Sequence, residues 1–338
     1  KLQRIRKALA EQQADGLLVS ALDEIAWTLN LRGNDVHCNP VFVAYLLIET
    51  TRATLFVDSD KVTAEVQDYL EKESIATKDY NELLSALQGY DGKALLVNSN
   101  EMSHKVYNII NSERAVTGTS PIPEMKAVKN ETEIEGFKHA MVRDGVAMVK
   151  FLRWLKPAVK AGGQTEISLE QKLTSLRAEL DLFRGISFDT IVGYEAHGAI
   201  VHYEATPQTD IPIEPHGLVL IDSGAQYQDG TTDITRTIAL GEITEEQRHI
   251  YTLVLKGHIQ LELCKFPNAA CGSQIDAFAR QAMWREGYNF MHGTGHGVGS
   301  YLNVHEGPHQ IRMEWRPAPL YAGTVSYTHL RAHETVLD

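Results

Sequence analysis

Long apolar runs are missing from this sequence. The longest, such as VFVAYLLI (41–48), fall far short of the roughly 20 residues that a membrane-spanning helix needs. Cysteine is scarce: the three, Cys38, Cys264 and Cys271, are odd in number and follow no paired metal spacing. This argues against a disulfide framework and for a reducing, cytoplasmic setting. Positive charge is in deficit, with 32 Lys and Arg against 44 Asp and Glu and a formal net charge of −12. Such a chain is a poor partner for a nucleic-acid backbone or an anionic membrane surface, and suits a cationic cofactor or the amino group of a peptide better. No signal peptide is read at the start, and no initiator Met; the opening KLQRIRKALA reads as cut from something longer. What is present is a globular composition, 43% hydrophobic and 22% charged over 338 residues, which is enough for two domains with buried cores.

The first third mixes helical and strand patterns. KLQRIRKALAEQQA and DEIAWTLN read as helices, GLLVS, VFVAYLLI, ATLFVD and ALLVN as strands, and amphipathic stretches lie around Val62–Leu70 and Asn81–Leu87. These make an α/β domain over residues 1–120, closed by the aperiodic TGTSPIP (117–123). A long helix is expected next, with Asn130 as N-cap, Glu133 completing a capping box, and a buried stripe of Ile134, Phe137, Met141, Met148, Leu152 and Leu155. Similar boxes are read at Ser168 and Thr244, and strands at SFDTIVG, GAIVHY, GLVLIDSG and TTDITRTIAL. The second region, 124–324, is therefore expected to be α+β with a largely antiparallel sheet.

The stretch GLVLIDSGAQYQDGTTDITRTIAL places Asp222 at the end of an apolar strand and Asp233 at the start of the next. Asp229-Gly230 between them is a hairpin signal. A two-residue turn there pairs Gln226 with Asp233 and puts Asp222 on the same face by parity. Ideal strands in that register hold the carboxylates too far apart to share an ion, so a bend near Ser223 and Gly224 is required. Two carboxylates on one face repel, and a divalent cation relieves the repulsion. The alternative is structural, with Asp as a turn former and Arg236 as the ion-pair partner.

HGTGHGVGSYLNVHEGPHQ (292–310) gathers four of the 14 histidines, His292, His296, His305 and His309. Glycine at this density disfavours the helix that a zinc H-x-x-x-H pair needs, and no Glu follows His292. The third glycine of a dinucleotide loop and the Lys-Ser or Lys-Thr of a phosphate loop are also lacking. There remain a strand, NFMH, a glycine-lined loop that admits close approach of a ligand, and a second extended piece, YLNVHEGP. Beside the aspartate hairpin, at least one of these imidazoles is expected to complete a metal site.

IDSGAQYQDGTTDITRT followed by HGTGHGVGSYLNVHEGP closely resembles the pita-bread metallopeptidases, and within them the three-domain cytosolic type of aminopeptidase P. WTLNLRGNDVHCNPVF resembles that family's middle domain, so the likeness extends to about Gly323. The resemblance implies an α/β middle domain, of the type that precedes creatinase, followed by an α+β pita-bread catalytic domain that is incomplete at its C-terminus. It implies two divalent metal ions, usually manganese, with Asp222, Asp233 and His296 as ligands. His202 and His305 would contact substrate or stabilise the tetrahedral intermediate, and His292 would support the proton network. A metal-bridging hydroxide would cleave peptides with proline in second position, and a homodimer is implied. His309 receives no role. Arg32 in NLRGND is read as a structural anchor rather than a residue reaching an active site. Prolidase-type dipeptidases and non-catalytic pita-bread binding modules are the rival readings.

The family's two glutamate ligands, from an EPG segment and a later R-x-E strand, are not found. After RPAPLYAGTV the chain reads SYTHLRAHETVLD, which resembles translated adapter sequence. Residues 325–338 are therefore expected to be non-native, Glu334 is not taken as a ligand, and the fragment is expected to have little activity.

Overall fold

The computed structural model describes residues 1–110 and 113–328. The chain separates into two compact units, Lys1–Lys126 and Ala127–Asp338. In the first, α1 (Leu2–Glu11) leads to β1 (Gly16–Val19), α2 (Leu22–Leu29), β2 (Ala44–Glu49) and β3 (Ala53–Val57). Then come α3 (Ala64–Lys72), β4 (Ile75–Asp79), α4 (Leu83–Gln88), β5 (Leu95–Val97), α5 (His104–Ile109) and β6 (Ala115–Thr117). α6 (Ile122–Ala127) follows at the boundary between the units. The sheet runs β4-β3-β2-β1-β5-β6, antiparallel at its centre and parallel at both flanks. β1, β3 and β5 are buried along their whole length, which is why they read as unbroken apolar runs. The edge strands β4 and β6, partly exposed, lack that signal. Arg32 anchors its own loop, donating to the carbonyls of Ala26 and Leu31.

The second unit opens with α7 (Glu131–Ala161), capped by Asn130 and Glu133 in a reciprocal box as expected. Its buried stripe differs from the expected one. Phe137, Ala140, Asp144, Ala147, Met148, Phe151, Leu155 and Val159 are buried, and Met141 is 43% exposed. Gly136 and Ala140 carry little apolar weight in a sequence, yet they form the face on which the backbone at Asp229 and Gly230 packs. A Cβ on Gly136 would lie 2.1 Å from the Asp229 carbonyl oxygen, so only glycine admits that approach. α8 (Glu166–Ala178) starts earlier than expected, because Thr165 is the N-cap and Ser168 is its partner three residues on.

β7 (Phe183–Ile186), β8 (Ile191–Tyr194), β9 (Leu218–Ser223), β10 (Ala225–Tyr227), β11 (Gly230–Thr231) and β12 (Ile234–Ala239) form two three-stranded sheets, β11-β10-β7 and β12-β9-β8. α9 (Glu245–Glu262), capped by Thr244 as expected, packs on α10 (Gly272–Trp284). β13 (Gly295–Gly297) lies between β14 (Glu306–Ile311) and β15 (Ser326–Thr328). Two strand expectations are overturned. GAIVHY is a 3₁₀ turn over Glu195–Ala199 followed by irregular chain, and NFMH is not a strand, since the strand begins only at Gly295. Among the described residues no helix is long and apolar enough to cross a membrane.

Candidate metal centre

The hairpin that carries the two aspartates is pinned from α7. Arg143 donates to both oxygens of Asp229, at 2.9 and 3.1 Å, and Tyr227 donates 2.8 Å to Asp144, which is itself held by buried Arg177. The turn residues are thereby Gln228 and Asp229, with Tyr227 paired to Gly230. This corrects the expected register: Gln226 pairs with Thr231, not with Asp233. The same register continues into β9 and β12, where Asp222 pairs with Thr235 and Ser223 with Ile234. Asp233 therefore faces Gly224 and is the diagonal neighbour of Asp222 on one face, within side-chain reach.

The corrected register itself brings the carboxylates together, so the bend expected near Ser223 and Gly224 is not needed to close a gap; Gly224 instead marks a break between the strands. There the ladder is interrupted: Ala225 N donates to Thr232 Oγ1, and Ser187 Oγ donates 2.8 Å to the Thr232 carbonyl. Ser187 N donates to the Gly224 carbonyl. A Cβ on Gly224 would stand 2.0 Å from the Thr232 oxygen and 2.2 Å from Ser187 Oγ. Glycine thus lets the two three-stranded sheets part at the point where the carboxylates converge.

His296 reaches the same point from β13. Its Nδ1 lies 2.8 Å from the Gly297 carbonyl. A carbonyl only accepts, so Nδ1 carries a hydrogen, and in the neutral ring Nε2 presents its lone pair. That lone pair faces Asp233 Oδ2 at 3.3 Å. Two acceptors turned toward each other need a proton or a cation between them. The other oxygen, Asp233 Oδ1, is buried with no hydrogen-bond donor. Asp222, Asp233 and His296 are each less than a tenth exposed. Burial and the Asp222 charge push the Asp233 carboxyl up to about 6, against the pull of His296.

His305 stands beside this group in the loop before β14, its ring edge-on to His296 with centroids 4.3 Å apart. Asp233, His296 and His305 each offer an atom such that all three lie within 4.8 Å of one another. Burial and the neighbouring His296 and His202 depress the His305 imidazole to about 4, so it is neutral at pH 7. His202 lies exposed on the irregular loop after β8, among the groups that bear on His305. The His292 ring packs on Phe290 at 4.8 Å, its Nδ1 lies 2.6 Å from the Gly293 carbonyl, and its own carbonyl accepts from Arg280.

Several supports were not visible in the sequence. Thr235, opposite Asp222, donates 2.7 Å to Asp222 Oδ1 and shares a 2.6 Å hydrogen bond with Tyr327. The correct register alone would have found Thr235. Burial and the two aspartates raise the Tyr327 phenol well above its usual value, so it stays protonated. Gln226 and Thr231, paired across the hairpin, bond to the Leu302 backbone and fasten the loop that carries His305. Behind His296, Lys129 and Glu306 form a buried ion pair, and His309, given no role from sequence, is buried against Gly297 and bonded to the Val325 carbonyl. Glu334 lies outside the described residues.

The donor set, hard carboxylate oxygens with imidazole nitrogen, suits a divalent transition metal. Residues 1–133 match the Creatinase/Prolidase N-terminal domain, and residues 135–330 match Metallopeptidase family M24.

The chain belongs to the M24 metallopeptidase family.

Among M24 proteins it is 43% identical over 341 residues to a probable Xaa-Pro aminopeptidase P of Arthroderma gypseum, covering 96% of this chain and 53% of that protein. It is 44% identical to Xaa-Pro aminopeptidase 1 of Dictyostelium discoideum over 331 residues, covering 96% and 52%. The solved X-prolyl aminopeptidase of Caenorhabditis elegans, described as a cytosolic enzyme with a di-nuclear active site, superposes with a TM-score of 0.90 at 34% identity, covering 96% and 54%. This M24 chain thus spans about half the length of the curated relatives it matches. The α/β unit followed by the α+β unit is the expected fold class, a creatinase-type N-terminal domain and a pita-bread domain.

Proposed function

We propose that the chain forms part of a metal-dependent aminopeptidase that removes the N-terminal residue from peptides with proline in second position. The observation that carries the reading is the buried Nε2 of His296 facing Asp233 Oδ2, beside an Asp233 Oδ1 that has no donor. The names of the relatives supply the substrate class. Asp222, Asp233 and His296 would hold a divalent metal, manganese in our reading. When bound, the metal supplies Lewis acidity and activates water.

The chain's own residues do the rest. The peptide's free terminal amine would be held near the metal and the acidic groups around it, which restricts cleavage to the end of a chain. Neutral His305 carries a single N–H and can give it to a developing oxyanion. His202 would bind substrate from the facing loop, and His292 would serve the proton network. The family's two glutamates remain unassigned in this sequence, so turnover by the chain alone is proposed to be weak. In the intact protein we place the enzyme in the cytoplasm as a homodimer.

The test is manganese titration of the chain, followed by incubation with an Xaa-Pro-Yaa tripeptide and an Xaa-Pro dipeptide. Metal binding with slow, selective release of the first residue of the tripeptide supports the proposal. Preference for the dipeptide, or no metal binding, overturns it; full turnover overturns the proposed incompleteness.

A further inference from the structure

Glu166, the first residue of α8, is fully buried and belongs to no part of the metal centre. Its carboxylate accepts three donors, and all come from one segment. Tyr194 N donates at 2.8 Å to Oε1, and Tyr203 Oη donates at 2.8 Å to Oε2. His197 Nδ1 lies 3.0 and 3.1 Å from the two oxygens. The His197 and Tyr203 rings also pack together, with centroids 4.4 Å apart.

These three residues bracket the irregular chain that replaces the expected strand at GAIVHY. Between them Ile200 is 53% exposed, Val201 37% exposed, and His202 exposed as well. Local backbone bonds there are few: Ile200 N to the His197 carbonyl and Tyr203 N to the Ile200 carbonyl. An exposed segment with so little packing is drawn from the low-stability end of a fold. A buried carboxylate, in contrast, demands that its acceptors be satisfied, and here satisfaction is possible only when Tyr194, His197 and Tyr203 are all in place. The first turn of α8 holds the far side of the same connection, through Ile167 N on Asp210 Oδ1 and Ile213 N on the Gln164 carbonyl. At the near side Gly193 and Gly198 touch, leaving no room for a Cβ.

We propose that Glu166 is a positioning residue: its carboxylate clamps the two ends of the 194–203 segment and so holds His202 in place. The proposal rests on the reading of His202 as a substrate-facing group, but the clamp itself is measured without turnover.

The test uses the whole chain labelled with [13Cε1]histidine. The wild type should show one sharp His202 ring resonance. Glu166→Ala should shift and broaden it, while the His258 and His292 resonances stay put. Glu166→Met, which fills similar space without an acceptor oxygen, should broaden it as well, whereas Glu166→Gln, which keeps one acceptor oxygen, should restore part of the sharpness. Should Glu166→Ala not fold, Tyr203→Phe carries the test, since it removes one hydroxyl and keeps the ring; a broadened His202 resonance supports the clamp. A His202 resonance unchanged in position and width in folded Glu166→Ala or in Tyr203→Phe overturns the proposal. A clamp confirmed in this way, with His202→Ala leaving tripeptide binding unchanged, would instead count against the functional reading of His202.

Discussion

Gly224→Ala tests whether the close backbone approach at Gly224 holds the metal centre together. The added Cβ would sit 2.0 Å from the Thr232 carbonyl oxygen, where real Cβ atoms stay beyond 3.0 Å, so the strands must part by about 1 Å. Neither obstacle is a flexible chain end: one is backbone and the other, Ser187 Oγ, is itself bonded to that backbone. Overpacking of this kind costs about 1–3 kcal/mol of stability. The larger consequence falls on metal binding, because a displacement of about 1 Å between Asp222 and Asp233 exceeds the roughly 0.2 Å tolerance of coordination distances. A loss of about 10–100-fold in manganese affinity is expected, comparable to removing an outer-shell partner. Free manganese measured by electron paramagnetic resonance during titration gives the affinity, and urea unfolding gives the stability. Gly145→Ala on α7 is the control: its Cβ meets nothing within 4 Å, and the change should raise stability by up to ~1 kcal/mol with no effect on manganese. If Gly224→Ala bound manganese as tightly as the wild type, the claim that this close approach holds the carboxylate pair would be wrong.

Two further outcomes follow from buried charge. Arg177→Met strands the Asp144 carboxylate with only Tyr227 to bond it, and should cost about 3–5 kcal/mol in urea unfolding, whereas Arg177→Met with Asp144→Leu should recover most of the loss. A double variant no more stable than the single one would contradict this account of the hairpin's support. In the first unit, burial raises Glu24 from 4.5 to about 7 despite its bond from Ser120. The folded chain then holds an extra proton between those values, so stability falls as pH rises from 4.5 to 7, by roughly 3 kcal/mol in total. Glu24→Gln should remove that decline, as followed by unfolding free energy against pH; an unchanged profile would show that Glu24 is not its source.

Much of the site was legible because its signals are local. The apolar run into Asp222 and the shared parity of Asp222 and Asp233 both follow from strand geometry. The register did not, because Asp-Gly signals a turn without fixing which two residues occupy it. Here Arg143 and the bare backbone of Gly136, both on a distant helix, hold Asp229 inside the turn. GAIVHY failed for a similar reason: its composition suits a strand, but the buried Glu166 draws Tyr194, His197 and Tyr203 into an irregular path. The Lys129–Glu306 pair joins residues far apart in the chain, and no spacing announces it.

Anomalous diffraction from crystals of this chain grown with manganese tests the central claim most directly. The account predicts a peak within about 2.0–2.3 Å of His296 Nε2 and an Asp233 oxygen, lost on Asp233→Asn. A peak elsewhere, or none at saturating manganese, would contradict it.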